Sequence, residues 1–585
     1  MILLFDLILE NALVVDGSGK EPYKADVGIA GARIEKIGDL KESEAAKRID
    51  AGGRVVCPGF IDVHSHADLT MFREDASELL SPLVRQGITT FVGGNCGMSL
   101  SPITDENREG LKTYLEVFTQ MDFDAAIQWK SMGEFMDHMD KKGLLLNMAL
   151  LVPHGMLRIS ALGLEDKPAD TAAMATMKGL LEESMEAGAF GLSTGLQYFP
   201  GLFSDTEELI KLSEPLSRYG GIFTSHLRSY TSTTLGKAID EVGDVARANG
   251  IRGQASHVMS VPWAGPLHPL ALKGLKWMCN HPDLALKAIP GFALDMSMNV
   301  VLKRLEKNRR AGADIAMDIM PTTCGFTHLL AFFPPWVLSG GREKVLARIS
   351  DPELRKEILR DIEKGKPIWP HRGKNNWSMN FIRLLGWDAV TVMAVHGDKN
   401  KHLEGRLFTD IAKEQGKHPF DVMCDLLLEE DGKLLVFESM SEPDDAFSER
   451  YTFPALEDPQ TMITTDTILM GMGKPLYLFY GCYPKFIGRF VNEKKLVSLP
   501  EAIRRCTSLP AEFFGIEGRG LVKEGFYADL LMMDAQAFRT NAVFREPERY
   551  PEGLEMVLIN GLPVVEDGSV VPETQAGTML RKNAQ

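Results

Sequence analysis

Three shortages narrow the field. Only seven cysteines are scattered through 585 residues. That is too few and too dispersed for a disulfide framework, so reduced thiols in a cytoplasmic protein are expected. No uninterrupted apolar run reaches ~18 residues, so no membrane-spanning helix is expected. Positive charge is in deficit: 64 Lys+Arg against 80 Asp+Glu give a formal net charge of -16. That balance argues against non-specific binding to nucleic acid or to an anionic membrane. Low-complexity tracts and short fixed-period repeats are also missing. The opening stretch MILLFDLILENALVVDGSGK has no basic start and no small-residue cleavage site, and Asp6 and Glu10 interrupt it. It reads as two strands closed by the turn Asp16-Gly17-Ser18-Gly19, not as an export signal.

A hydrophobic fraction of 44% permits a large core. Residues 1–57 and 501–585 share a texture of short strands punctuated by glycine, and chain ends often meet. They are expected to build one β-sandwich. The middle, 58–500, alternates short apolar runs with helical patterns. GFIDVH, GITTFVGG, GLLLNMALLV, GAFGLST, GGIFTSH, GIRGQASH, GADIAMDIM and TMITTDT are the strand candidates. Strands alternating with helices predict a parallel sheet, and eight of them predict an α/β fold of the (β/α)8, or TIM-barrel, type. Two insertions interrupt the pattern. One lies between His257 and Gly312; the other, mainly helical, occupies 326–455 and is suited to an interface or a lid.

Ligand-type residues fall at the carboxyl ends of these candidates, where a parallel barrel carries its active site. His64 and His66 end the first, Cys96 follows the second, His226 and His257 end two later ones, and Asp466 ends the last. Residues i and i+2 of an extended segment point the same way, so His64 and His66 can face one metal ion. Imidazole and thiolate favour zinc without excluding other transition metals. Each of these residues alone has a bland reading: a core histidine, a small apolar cysteine, a helix-capping aspartate. Six at one end of one layer do not. Asp68 and Asn95 are candidates for orienting the ligands. His154, at another strand end, and Tyr198 are candidate pocket residues, and Arg158 beside His154 is expected to be an ion-pair partner.

The quoted segments, with GGNCG, GLSTGLQYFPG, TSHLRS, ASHVMS, MITTDT and EAIRRCTSLPAEFFGIEGRGLVKEGFYADLLMMD, resemble the amidohydrolase superfamily, in its D-aminoacylase branch, over nearly the whole chain. The resemblance implies a zinc-dependent hydrolase of a non-peptide C–N amide bond in a small molecule. Cys96, His226 and His257 would hold a tight zinc. His64 and His66 would contribute to a second, weaker position, with Cys96 able to bridge. Asp466 would be general base and then general acid.

The branch's usual pattern is broken where it would hold a substrate carboxylate. Ser256-His257-Val258-Met259 stands where S-H-x-K is usual, and Lys474-Pro475-Leu476 stands where H-P-R is usual. Leu227-Arg228-Ser229-Tyr230 lacks the glutamate common there. A buried carboxylate needs a partner. The pocket is therefore expected to be more apolar, with Arg228, Lys474 or Arg372 as compensating cations and a cyclic amide, imide or ureide as the alternative substrate. A homo-oligomer is left open.

Overall fold

The computed structural model describes residues 4–105, 108–119, 121–367, 369, 374 and 376–582. Two parallel sheets, of three and six strands, position the chemistry. Phe60–Asp62, Ile88–Gly93 and Asn147–Leu150 form the first. The second runs in the order Val152–Pro153, Gly191–Gly195, Ile222–His226, Arg252–Ala255, Asp314–Ile319 and Thr461–Ile463. Every strand candidate of the sequence overlaps one of these. Their side chains are buried almost throughout, because a parallel sheet is covered on both faces and has no solvent-facing alternation.

The sheets are two ladders and not one unbroken ring. Asn147–Leu150 and Val152–Pro153 are pieces of one run interrupted at Leu151. There the Leu151 N–H donates to the Gly93 carbonyl at 3.0 Å, and the Phe190 N–H donates to the Leu150 carbonyl at 2.8 Å. At the other seam the Asp466 N–H donates to the His64 carbonyl at 2.9 Å, and the His66 N–H donates to the Thr467 carbonyl at 2.7 Å. Regular pairing stops here because the backbone turns to present side chains: Asp466 has a φ of 53°.

Helices cover the sheets by simple periodicity. Leu235–Asn249 buries Leu235, Ala238, Ile239, Val242, Val245 and Ala246, the i, i+3, i+4 face of the helix. Gly250 ends it in the left-handed region at φ 62°. Each such leucine, isoleucine or valine contributes roughly 1.5–3 kcal/mol by burial.

The chain ends do meet. Val55–Pro58 pairs antiparallel with Leu530–Met533 in a nine-stranded sheet built from both termini. Leu4–Val14 is its branch point, antiparallel to Tyr23–Ala30 and parallel to Glu44–Asp50 and Val55–Pro58. Leu9, Val27, Ile29, Val56 and Leu530 form part of a separate apolar cluster there.

Helices make up most of the regular structure of the 326–455 segment. It also forms a three-stranded antiparallel sheet with Leu434–Glu438 between Gly325–His328 and Val390–Val395. The β-branched run VTVMAV favours a strand, and its partners are too far away in sequence to be seen as a hairpin. Among the described residues, no single helix is long and apolar enough to cross a membrane.

Candidate metal centre

Five donor side chains and one carboxylate converge where the parallel strands end. His64 Nε2 lies 3.2 Å from Cys96 Sγ. Cys96 Sγ is 3.6 Å from His226 Nδ1 and 3.8 Å from His257 Nε2, and those two nitrogens are 3.0 Å apart. Asp466 Oδ1 is 3.4 Å from His64 Nε2 and 3.3 Å from His66 Nε2. The donors form two groups that share one member: His64, His66, Cys96 and Asp466, and then Cys96, His226 and His257. All are buried.

The backbone is bent to achieve this. Cys96, His257 and Asp466 have φ values of 53°, 33° and 53°. Non-glycine residues avoid this region at a cost of ~1–3 kcal/mol each, and such strain collects at functional sites. Gly94 makes the turn into Cys96 possible. Its φ is 76°, and a Cβ there would lie 2.2 Å from the Leu151 carbonyl oxygen.

A second set of buried polar groups holds the donors. The Tyr230 hydroxyl lies 2.9 Å from His257 Nδ1, accepts the Leu227 N–H at 2.9 Å and reaches the Ser256 carbonyl at 3.1 Å. With its own proton on Ser256, that oxygen accepts from His257 Nδ1, which leaves the His257 Nε2 lone pair facing the centre. Asp318 accepts the His257 backbone N–H at 2.7 Å and a hydrogen bond from Gln254. Burial pushes its carboxyl up to about 8. Asp62 accepts from Thr464 Oγ1 at 2.7 Å and from Thr465 Oγ1 at 2.5 Å. It thereby ties the strand before His64 to the loop bearing Asp466, with its own pKa pushed by burial to about 6.

Asp68 and Asn95 act differently from the sequence expectation. Asp68 Oδ2 accepts from Ser99 at 2.7 Å, and Asn95 Nδ2 donates to the Val92 carbonyl at 2.9 Å. They brace the loop around Cys96 and give no hydrogen bond to either imidazole: His64 Nδ1 and His66 Nδ1 have no partner among the described residues.

The donor chemistry fits a divalent transition metal. Burial lowers the pKa of His64, His226 and His257, which keeps their lone pairs free. Burial raises the Cys96 thiol, and the charges of Asp466 and Asp318 add to the shift; a cation supplies what a buried thiolate otherwise lacks. Asp466 Oδ1 is buried and accepts no hydrogen bond among the described residues. A cation among these atoms satisfies all of them at once.

The other candidates lie at varying removes. The Tyr198 ring lies 4.5 Å from the His226 ring and 5.2 Å from that of His328. His154 Nε2 is 3.0 Å from Glu208, which also pairs with Arg158. Arg228 is buried against Glu241 at 3.0 Å. Lys474 is exposed, and its Nζ lies against Gly405. Arg372 lies outside the described residues. Met259 lines a chamber of about 190 Å³ that shares His257 with the metal centre. The 326–455 segment supplies Met379, Phe381, Glu438, Ser439 and Met440 to its wall. A larger groove, about 1290 Å³, lies at the other end of the strands beside Phe190, Gly221 and Arg252 and contains none of the donors. Tyr230, Asp318, Asp62 and His328 were not singled out in the sequence as site residues. Acids inside the apolar runs GFIDVH and GADIAMDIM, Asp62 and Asp318, were the available signals.

Imidazole, thiolate and carboxylate donors in a buried cleft at the carboxyl ends of parallel strands equip a metal-dependent hydrolase. The amidohydrolase family model matches residues 47–244 and 439–565, and the chain belongs to that family. Its likeness runs to the D-aminoacylase branch. It is 28% identical over 582 residues to a D-aminoacylase of Alcaligenes xylosoxydans xylosoxydans, covering 99% of this chain and 98% of that one. It is 28% identical over 587 residues to an N-acyl-D-glutamate deacylase of the same organism, covering 99% and 97%. A solved D-aminoacylase with a binuclear metal centre superposes with a TM-score of 0.73 at 25% identity, covering 99% of this chain and 100% of that one. The fold is shared as well with an N-acyl-D-glutamate deacylase from Bordetella bronchiseptica, solved with zinc and a phosphonate inhibitor, at TM-score 0.75 and 24% identity over 99% and 100%.

Proposed function

We propose that this protein is a zinc-dependent deacylase that hydrolyses the amide of an N-acylated amine, of the N-acyl-D-amino-acid class. The observation that carries this is the convergence of the two donor groups on Cys96 with Asp466 Oδ1 facing them. Cys96, His226 and His257 would hold the tight metal, and His64 and His66, sharing Cys96 with that set, would hold the weaker one. When bound, the metal supplies Lewis acidity toward water and a substrate carbonyl. Asp466 accepts the proton that the attacking water loses and returns it to the departing nitrogen. Tyr198 and His154 are candidate donors to the oxyanion. The relatives are named D-aminoacylase and N-acyl-D-glutamate deacylase, so the ring-opening alternative is not carried forward. In this reading the two parallel ladders act as one (β/α)8 barrel over 58–500, and 1–57 with 501–585 form the sandwich.

Asp466→Asn tests it. Turnover of N-acetyl-D-amino acids is expected to fall by about 10²–10⁴-fold, while metal stays on Cys96, His226 and His257. Unchanged turnover, or no amine released by the metal-loaded wild type across a broad N-acyl panel, contradicts the proposal.

A further inference from the structure

The chamber beside the metal centre contains a carboxyl group with no counter-ion among the described residues. Glu438 ends the strand Leu434–Glu438 and is paired in register with Gly325. A Cβ at Gly325 would come within 2.7 Å of Glu438 Oε1, so glycine there leaves room for the carboxyl group. Glu438 Oε2 is screened from solvent and has no hydrogen-bond partner among the described residues, and the same holds for Ser439 Oγ. Both residues line the chamber, whose remaining wall is rich in methionine: Met259, Met298, Met320 and Met440.

Buried cations elsewhere in the barrel region are already paired. Lys485 donates to Asp444 at 2.5 Å, Arg228 faces Glu241, and Arg158 faces Glu208. Among the described residues lining the chamber there is no lysine or arginine. Burial, with the Asp466 charge adding to it, pushes Glu438 up to about 8, the response of a carboxyl group that lacks a donor. An incoming N–H or ammonium group supplies one to the carboxylate form; an incoming carboxylate supplies none and is accommodated only by holding Glu438 protonated beside a second acid. Methionine walls adapt to irregular apolar shapes but offer nothing to an anion.

We propose that Glu438 and Ser439 select the substrate: the chamber takes the amine-side substituent, accepts apolar groups tipped by a hydrogen-bond donor, and refuses those tipped by a carboxylate. This rests on the deacylase reading and narrows it, because it separates the protein from deacylases of acidic amino acids. Discrimination arises from the mismatched carboxylate pair as much as from the favourable donor contact.

The test uses an isosteric pair, N-acetyl-D-glutamine and N-acetyl-D-glutamate, on the metal-loaded full-length protein. Turnover is read in the wild type, and binding is read by calorimetry in the Asp466→Asn background. The carboxamide is expected to be favoured on the order of 100-fold in both. Glu438→Gln is expected to compress that ratio to about tenfold or less by gaining on the acid, and Ser439→Ala to weaken only the carboxamide. These magnitudes follow from the cost of mispairing polar groups in a specificity pocket. Equal handling of the two compounds by the wild type, or an unchanged ratio in Glu438→Gln, overturns the assignment. A retained binding preference without turnover of either compound leaves the chamber's role standing and counts against the deacylase reading.

Discussion

Tyr230→Phe removes one oxygen atom and keeps the aromatic ring that packs 5.5 Å from the His257 ring. That oxygen has three partners, His257 Nδ1, the Leu227 N–H and the Ser256 carbonyl, at 2.9, 2.9 and 3.1 Å. Two consequences can be sized separately. The buried Leu227 and Ser256 backbone groups lose a partner, and an unsatisfied buried group costs about 1–3 kcal/mol. Protein already free of metal is therefore expected to be destabilised by roughly 2–6 kcal/mol. The His257 ring also loses the contact that fixes its tautomer. Outer partners of this kind are typically worth 10–100-fold in metal affinity, about 1.4–2.7 kcal/mol. Denaturant unfolding of the metal-stripped protein reads the first term, and competition with a chromogenic chelator reads the second. At saturating metal the variant is expected to recover most of its turnover, because Asp466 is untouched. Metal affinity within twofold of wild type would refute the view that Tyr230 positions His257.

Further predictions concern the shared ligand and a buried imidazole. Cys96→Ser removes the one donor common to both groups; elemental analysis is expected to show loss of metal from the tight set together with loss of activity, and an intact metal complement would contradict the assignment. His328 has its pKa pushed by burial from 6.5 down to about 4. The unfolded chain therefore binds the extra proton more readily between pH ~4 and ~6.5, and stability falls as pH drops through that window. The contribution is at most about 3 kcal/mol, less for the ring's partial exposure. In His328→Gln, unfolding measured at pH 4.5 and 7 should show a shallower pH dependence; an unaltered slope would remove His328 from that role.

Much of the frame was legible because buried parallel strands leave a simple trace: short apolar runs with helices between them and polar residues where they end. His64 and His66 were readable from the two-residue period of an extended chain. Cys96 drew its role from the family pattern around it, since a lone cysteine is chemically indistinct from a core residue. The residues that hold the donors were not legible. Tyr230 serves through its oxygen, 27 positions away from His257, and no local pattern marks a tyrosine as a hydrogen-bond hub. Glu438 joins the chamber wall through antiparallel pairing with Gly325, over a separation that periodicity does not register. The cations named as compensating for the altered carboxylate site show the same limit. Sequence proximity put Arg228 near the pocket, but the fold gave it to Glu241.

The central claim is that the buried donors around Cys96 hold a metal on which amide hydrolysis depends. The direct measurement is metal content and N-acetyl-D-amino-acid turnover on the same sample, before chelation, after it, and after zinc is restored. Turnover that vanishes with the metal and returns with zinc is the result predicted. Full turnover by protein stripped of every transition ion would contradict it.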